Sequence, residues 1–439
     1  VAARDFNARQ RTILAFYGIG SDASRGTLKM RAPWNTFFKP RAFSSSKIFL
    51  GGENLAVLRE ASEPRPTIRS IVRSLGKLSR LWLRKNDPYR KKTISRLIDR
   101  SGYTQAMAEA LIDGLFRELT EKKLLGLLRS EFGDPRLLDE FRPDRTNKRW
   151  VRARGPKLIL HIFAGNVPNP AILSFIFGML LKSRNAGKVS SEDPGFLDIY
   201  LASLKKIDPK LASGNILLDP KNRSAVKSWM TKADLIVAYG SDETLNVLKS
   251  QASAETPFIG YGHRLSLALY TREAMKRKNI GQLVRKTALD VWMMDRRGCL
   301  SPEFLYVETG GEVSPAEFSI LISKGIDRIA RADNMTKTPV REAAARMARE
   351  NIRKAKQISF VRSFHRLKEA YRVIGYFEGH LQAVALEAGP QRRQAIAEEL
   401  SRLGANRVCR AGQMQFPPLT WHHDGRPNLA SWVTWTDLE

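Results

Sequence analysis

The sequence predicts an α/β protein built on parallel strands, and three observations carry that prediction. Short apolar runs recur at 157–162, 187–190, 215–219, 235–240, 257–262 and 304–308, separated by segments of helical periodicity. The first of them, KLILHIFAGNVP at 157–168, breaks off at Gly and Asn, the way a buried parallel strand enters a loop that carries function. At 439 residues the chain exceeds the size at which one hydrophobic core usually stops growing, so two or three packed units are expected.

Taken in order, the first sixty residues mix Gly, Ser, Pro and isolated aromatics without sustained periodicity, which reads as irregular structure with a short strand near 48–50. From Thr67 to Lys85 the pattern is helical, with Ile68, Ile71, Val72, Leu75, Leu78 and Trp82 on one face. Arg69, Arg73, Lys77, Arg80 and Arg84 make a basic stripe beside it. Such a helix either packs its apolar face and solvates the rest, or lies on a membrane surface or an acidic partner. Further helices are expected from Pro88 to Asp99, from Ser101 or Thr104 to Leu119, and from Glu121 to Phe132. Strands and helices alternate from there on, and no repeat of 20–50 residues is present.

Composition narrows the function classes. Apolar residues make up 43% of the chain, a globular and not a disordered proportion. The longest apolar run, AILSFIFGMLL at 171–181, is shorter than the roughly 20 residues a membrane-spanning helix needs. Residues 1–50 are Arg- and Ser-rich and poor in acids, mildly like an organelle transit peptide. Two cysteines, Cys299 and Cys409, cannot make a disulfide framework, which favours a reducing, cytoplasmic setting. No segment shows zinc or calcium ligand spacing, so no metal is expected. The net charge of +30 attracts anions without choosing among nucleic acid, lipid head groups, acidic proteins and phosphorylated ligands. A basic groove with stacking aromatics would bind nucleic acid, but no helix-turn-helix, RNP or zinc-finger pattern supports a specific nucleic-acid site.

Four segments carry candidate chemistry. Cys299, in DRRGCLSPE, is either a buried packing residue or a nucleophile; Arg296 and Arg297 favour a thiolate, and Gly298 lets a substrate approach the backbone. Asn166, in AGNVPNP, either bonds its own loop or points its amide into a cleft as an oxyanion donor. NAGKVSSEDP at 185–194 sets Lys188 two residues before Ser190 and Ser191, where a ribose or phosphate would be held. YGSDETL at 239–245 is a strand, a Gly240–Ser241 turn and a helix start that offers N–H groups to a pyrophosphate.

These segments, in this order, resemble the acyl-CoA reductases (fatty acid reductases) of bacterial bioluminescence, a branch of the aldehyde dehydrogenase superfamily. The resemblance rests on HIFAGNVPNP at 161–170, NAGKVSSEDP, VAYGSDETL at 237–245, PFIGYGHRLS at 257–266, DRRGCLSPEFLYVE at 295–308 and WHHDGRPNLASWVTWTDLE at 421–439, and it spans Ile68 to the C-terminus. It implies an aldehyde dehydrogenase-like fold with a Rossmann-type NADPH-binding domain 151–265, an α/β catalytic domain 266–412 and a C-terminal segment 413–439, which follow the irregular segment 1–66 and the helical region 67–150 read from the residues. It further implies that Cys299 is the nucleophile, that Asn166 binds the oxyanion, that Lys188 and Ser190 sit at the adenosine ribose, and that Gly240 and Ser241 lie beside the pyrophosphate. Ser191 stands where many NAD-using relatives carry Glu, which leaves room for a 2′-phosphate and favours NADPH.

Two departures from the superfamily pattern matter. The general-base Glu of hydrolytic aldehyde dehydrogenases is not evident before the cysteine segment; His263 stands there, as a proton donor or as a structural residue. The Glu-x-Phe-Gly-Pro cofactor segment is also missing, with YFEGHLQAVAL at 376–386 in its region. Loss of a water-activating base fits reduction of a long-chain fatty acyl thioester to the aldehyde through acyl-Cys299, with acyl-CoA or acyl-carrier protein as donor. The rival reading within the superfamily is an oxidising aldehyde dehydrogenase-like enzyme. The resemblance also implies acyl-transferase and acyl-protein synthetase partners, and homo-oligomerisation is expected.

Overall fold

In a computed structural model the described residues are 66–439, apart from 145, 166, 191–192, 220–222, 297 and 333–359. Four helices come first, Ile68–Trp82, Pro88–Ser101, Gln105–Glu118 and Glu121–Phe132. Each starts where a side-chain oxygen can accept an otherwise unpaired helical N–H: Thr67, Asp87, Thr104 and Thr120 are the caps. The apolar face of the first helix is buried from Ile68 through Trp82, while Arg69, Arg73, Lys77, Arg80 and Arg84 are exposed. Trp82 stacks on Phe116 at 4.8 Å and donates its indole N–H to Ser203 Oγ at 3.0 Å, which fixes these helices on the helix Phe196–Ile207 of the next layer.

Strands are numbered here in chain order. A hairpin of β1 (Arg142–Asp144) and β2 (Arg149–Arg154) precedes the first parallel sheet, which contains β3 (Leu158–Ile162), β4 (Arg184–Lys188), β5 (Asn215–Leu218), β6 (Leu235–Tyr239) and β7 (Phe258–Tyr261) in the order β5-β4-β3-β6-β7. The order in which strands are added reverses between β3 and β6, so a crevice opens at their carboxyl ends, the usual ligand position in such sheets. The helix Asn169–Leu180 is apolar on nearly every face because it is buried between this sheet and the helical layer. Its Phe175 ring lies 2.6 Å from where a Cβ at Gly187 would stand, so only glycine admits the helix this close to β4. Beneath it, buried His161 reaches Ser174 Oγ at 2.8 Å and Asn185 Oδ1 at 2.9 Å; burial pulls its pKa down to about 4, so this histidine is a neutral packing group. β4 begins three residues before the apolar run that marks it in the sequence, because Asn185 is buried by pairing its polar atoms with His161 and Asn215.

The second parallel sheet holds β8 (Leu265–Tyr270), β9 (Pro302–Glu308), β10 (Val361–Phe364), β11 (Leu381–Glu387) and β12 (Arg407–Cys409), ordered β10-β9-β8-β11-β12. The last strand, β13 (Thr434–Leu438), returns to pair antiparallel with β2, Thr434 opposite Arg154 and Leu438 opposite Trp150. The expected strand near 48–50 lies outside the described residues. Among the described residues no helix is long and apolar enough to cross a membrane.

At the carboxyl end of β9, buried Glu308 accepts hydrogen bonds from Arg272 at 2.8 Å and Arg392 at 2.9 Å, joining the ends of β8 and β9 to the helix Pro390–Arg402. Burial alone would raise this carboxyl, but the hydrogen bonds from Arg392 and Arg272 outweigh it and hold the pKa at about 2. A depressed carboxylate adds stability above its unfolded pKa and loses it as pH falls toward the folded one. Thermal melts should therefore drop more steeply between about pH 5 and about pH 2 for the native chain than for Glu308→Gln. At neutral pH the substitution should cost roughly 2 kcal/mol, less than for a fully buried pair because Arg272 and Arg392 reach solvent.

Candidate active site

Cys299 lies between the 3-10 turn Met293–Arg296 and the start of β9, on a tight turn in which Ser301 donates its N–H to the Gly298 carbonyl at 2.9 Å. Its own carbonyl accepts from the Ser266 hydroxyl at 2.6 Å, and that hydroxyl accepts the Ala383 N–H at 3.1 Å. The contact sits where the ladders are irregular, at Ser266/Leu267 between β8 and β9 and at Leu381/Val384 between β11 and β8. Irregularities of this kind re-aim side chains beside a site. Here Gln382 is fully buried in β11, beside the Ala383 whose N–H shares the Ser266 hydroxyl with the Cys299 carbonyl.

A cavity of about 500 Å³ opens over the sulfur, between the carboxyl ends of the first sheet and the Cys299 turn. Leu115, Val167, Leu173, Phe177, Leu300 and Phe416 give it apolar walls, as a pocket for a hydrocarbon requires. Along another part of the wall runs an aromatic stack: Tyr239 on Tyr261 at 4.7 Å, and Tyr261 on His423 at 4.5 Å. Three carboxylates line the cavity. Glu118 accepts the Leu419 N–H at 3.0 Å and pairs with Lys123; Glu303 comes from β9; Asp424 accepts the Gln382 side-chain N–H at 2.8 Å and faces Arg264 at 3.1 Å.

The thiol is not a resting thiolate. Burial pushes Cys299 up to about 11, Asp424 adds to the rise, and the Gln382 hydrogen bond, its own backbone N–H and Arg264 only partly offset it. Arg297 and the side chain of Arg296, the flanking arginines expected to favour the thiolate, lie outside the described residues. His423 is also pulled below the usual imidazole range by burial, against the pull of Asp424.

Of the residues singled out in the sequence, Cys299, His263, Gly240 and Ser241 line this one cavity. His263 is exposed, with its backbone N–H on Asp242 Oδ1 at 3.2 Å. Ser241 caps the helix Asp242–Gln251 by accepting the Thr244 N–H, which leaves that helix start facing the crevice beyond β6. Lys188 ends β4 and Ser190 follows it; neither is among the cavity-lining residues. Asn166 and Ser191 lie outside the described residues. In the same AGNVPNP loop, Asn169 does line the cavity, and its Oδ1 is shielded without a hydrogen-bond partner. Sequence reading also passed over Arg264, Gln382, Gln415 and Asp424, all on the cavity wall. The signal for Gln382 was a lone amide in the otherwise apolar strand LQAVALE.

Comparison with known proteins fits this architecture. The family model for acyl-CoA reductase (LuxC) matches residues 65–375 and 355–435. A long-chain acyl-protein thioester reductase of Photorhabdus laumondii is 26% identical over 247 residues, which cover 54% of this chain and 50% of that protein. One from Aliivibrio fischeri is 24% identical over 270 residues, 60% of this chain and 54% of that protein. The chain thus spans about half the length of the curated relatives it matches. Among solved structures, an oxidoreductase from Marinobacter aquaeolei superposes with a TM-score of 0.61 at 12% identity, over 86% of this chain and 87% of that one. A benzaldehyde dehydrogenase from Corynebacterium glutamicum gives 0.59 at 12% identity, over 87% of each chain. The fold is that of the aldehyde dehydrogenases.

With the thiol held near 11, alkylation of Cys299 by iodoacetamide, followed by peptide mass mapping, should quicken roughly tenfold per pH unit between about pH 7 and about pH 10. A plateau already reached at about pH 8 would reveal a stabilised thiolate instead.

Proposed function

The chain belongs to the acyl-CoA reductase (LuxC) family, and from that premise we propose that it reduces a long-chain fatty acyl thioester to the aldehyde through a thioester on Cys299. The observation that carries this reading is a single cysteine at the base of an apolar cavity, placed opposite the crevice of a nucleotide-type sheet.

The residues present fit a nicotinamide cofactor. The Gly240–Ser241 turn presents a helix N-terminus at the carboxyl end of β6, and Lys188 stands at the end of β4 with Ser190 beyond it. Asp242 and Glu243 in that first helical turn oppose an anion, although the Asp242 carboxylate is engaged by the His263 backbone. We assign NADPH in preference to NADH because Ser191 in the sequence offers no carboxylate to repel a 2′-phosphate. When bound, the cofactor supplies the hydride.

The protein's own groups do the rest. Cys299 loses its proton as the sulfur attacks the acyl carbonyl, with the Gln382 amide donating to the developing thiolate. Asn166 and the Cys299 backbone N–H are the proposed oxyanion donors. His263, exposed on the cavity wall, is the proposed carrier of the proton to the departing carrier thiol. Reduction is favoured over oxidation to acid because the cavity carboxylates Glu118 and Asp424 are engaged by the Leu419 N–H and by Gln382 and Arg264, which limits activation of water.

The donor is an acyl group on coenzyme A or on a protein, in line with the naming of the curated relatives as acyl-protein thioester reductases. Acyl-transferase and acyl-protein synthetase subunits are the partners we expect, and the exposed arginines of the helix Ile68–Trp82 offer them a docking face.

Mixing the protein with a long-chain acyl-CoA and NADPH should consume the reduced cofactor, followed by its absorbance, and yield aldehyde. Cys299→Ala should abolish this turnover, and Asn166→Ala should slow it by roughly 10²–10³. Unchanged turnover in Cys299→Ala would overturn the mechanism.

A further inference from the structure

On the cavity wall that holds Cys299 is a carboxylate with no role in the reaction as described so far. The Asp424 side chain is 1% exposed, and its backbone sits in the left-handed region, φ 54° and ψ 30°, on the turn His423–Gly425. Asp adopts this conformation at modest cost, and a fixed, slightly strained turn holds the side chain in one place. The next residue, Gly425, has φ 71°, and a Cβ there would meet Asn406 Oδ1 at 2.6 Å, so the turn is pressed against Asn406.

Between this turn and the cysteine lies Gln382. Its Oε1 accepts from Asn406 Nδ2 at 3.1 Å, and its Nε2 donates to Asp424 Oδ1 at 2.8 Å. An amide nitrogen carries two hydrogens, and the one not directed at Asp424 belongs to a side chain on the same cavity wall as Cys299, where the Ser266 hydroxyl ties the Cys299 carbonyl to the N–H of the residue after Gln382, Ala383. Reversing the amide would set its oxygen against the Asp424 carboxylate and its nitrogen against the Asn406 nitrogen, so one orientation is enforced. We propose that Gln382 is a catalytic donor to the Cys299 sulfur and that Asp424, braced by Arg264, is the positioning residue that keeps the Gln382 N–H aimed there.

The proposal rests on Cys299 acting as the acyl acceptor. The sulfur then bears negative charge twice in a cycle, when it attacks and when the hemithioacetal collapses and releases it. A fixed N–H stabilises both moments. The nearby Asp424 charge acts in the opposite direction and keeps the idle sulfur protonated, the less oxidisable form. The other titratable or charged groups on the cavity wall are Glu118 from the helical layer, Tyr239 on β6, Tyr261 on β7, His263 and Arg264 after β7, Glu303 on β9 and His423 beside Asp424, with Arg426 facing Asp424 at 3.9 Å.

The two residues push the sulfur in opposite directions, so their substitution separates a positioning role from general damage. Iodoacetamide alkylation of Cys299, mapped by peptide mass across pH, reads this without any acyl substrate. Asp424→Asn keeps an acceptor for the Gln382 N–H and deletes the charge; at about pH 8 it should speed alkylation about tenfold. Gln382→Met deletes the donor and should slow it about tenfold at the same pH. Wild-type profiles in both variants, or shifts of the same sign, would overturn the proposal. If Gln382→Met does not fold, as judged by its melt, Gln382→Asn replaces it: the shorter amide cannot reach both Asp424 and the sulfur, and should also slow alkylation. Opposite shifts in a protein that forms no acyl-enzyme would sink the reductase reading and leave the pair standing. Acyl-enzyme formation with unmoved profiles would do the reverse.

Discussion

The Ser266 hydroxyl fixes the place of Cys299. By donating to the Cys299 carbonyl at 2.6 Å and accepting the Ala383 N–H at 3.1 Å, one side chain ties the cysteine turn to β8 and β11. Ser266 is fully buried, so neither bond competes with water. The irregular register around it takes in Gln382, which falls between the paired positions Leu381 and Val384. Cys299 and Gln382 are thus both placed by the same local departure from regular sheet geometry.

Polar groups of this kind are costly to bury, and the cavity limits that cost by pairing. Arg264 faces Asp424, Gln382 shares its amide between Asp424 and Asn406, and Gln415 donates to the Asp290 carbonyl at 2.8 Å and to Ser301 Oγ at 3.0 Å. What remains without a partner is informative. Asn169 Oδ1 and Gln415 Oε1 are shielded acceptors without hydrogen bonds on a wall otherwise apolar enough for a hydrocarbon. Such acceptors are satisfied by a ligand that brings its own N–H or O–H groups.

Much of the fold is legible in the sequence because its signals are local. The apolar stripe from Ile68 to Trp82, the four capping residues and the runs at 157–162, 215–219, 235–240, 257–262 and 304–308 each announce their element without tertiary help. Strand β4 is misplaced by three residues because Asn185 is buried through partners distant in sequence. The role of LQAVALE as the buried strand β11 is also hidden, as is the return of β13 to β2, since both depend on long-range pairing. At the site, Cys299, His263, Gly240 and Ser241 come from segments whose turn chemistry stands out. Gln382 and Asp424 do not stand out, because an isolated amide in a strand and an Asp in a turn acquire meaning only from what they face. The elevated thiol was hidden for a related reason: it responds to burial and to Asp424 from 125 residues away along the chain.

The central claim is that Cys299 carries the acyl group, and mass mapping of the chain after exposure to a long-chain acyl-CoA without nicotinamide cofactor tests it most directly. The account predicts a peptide containing Cys299 heavier by one acyl group, discharged as aldehyde once NADPH is added. An acyl adduct on another residue, or discharge as free fatty acid with NADPH unconsumed, would contradict it.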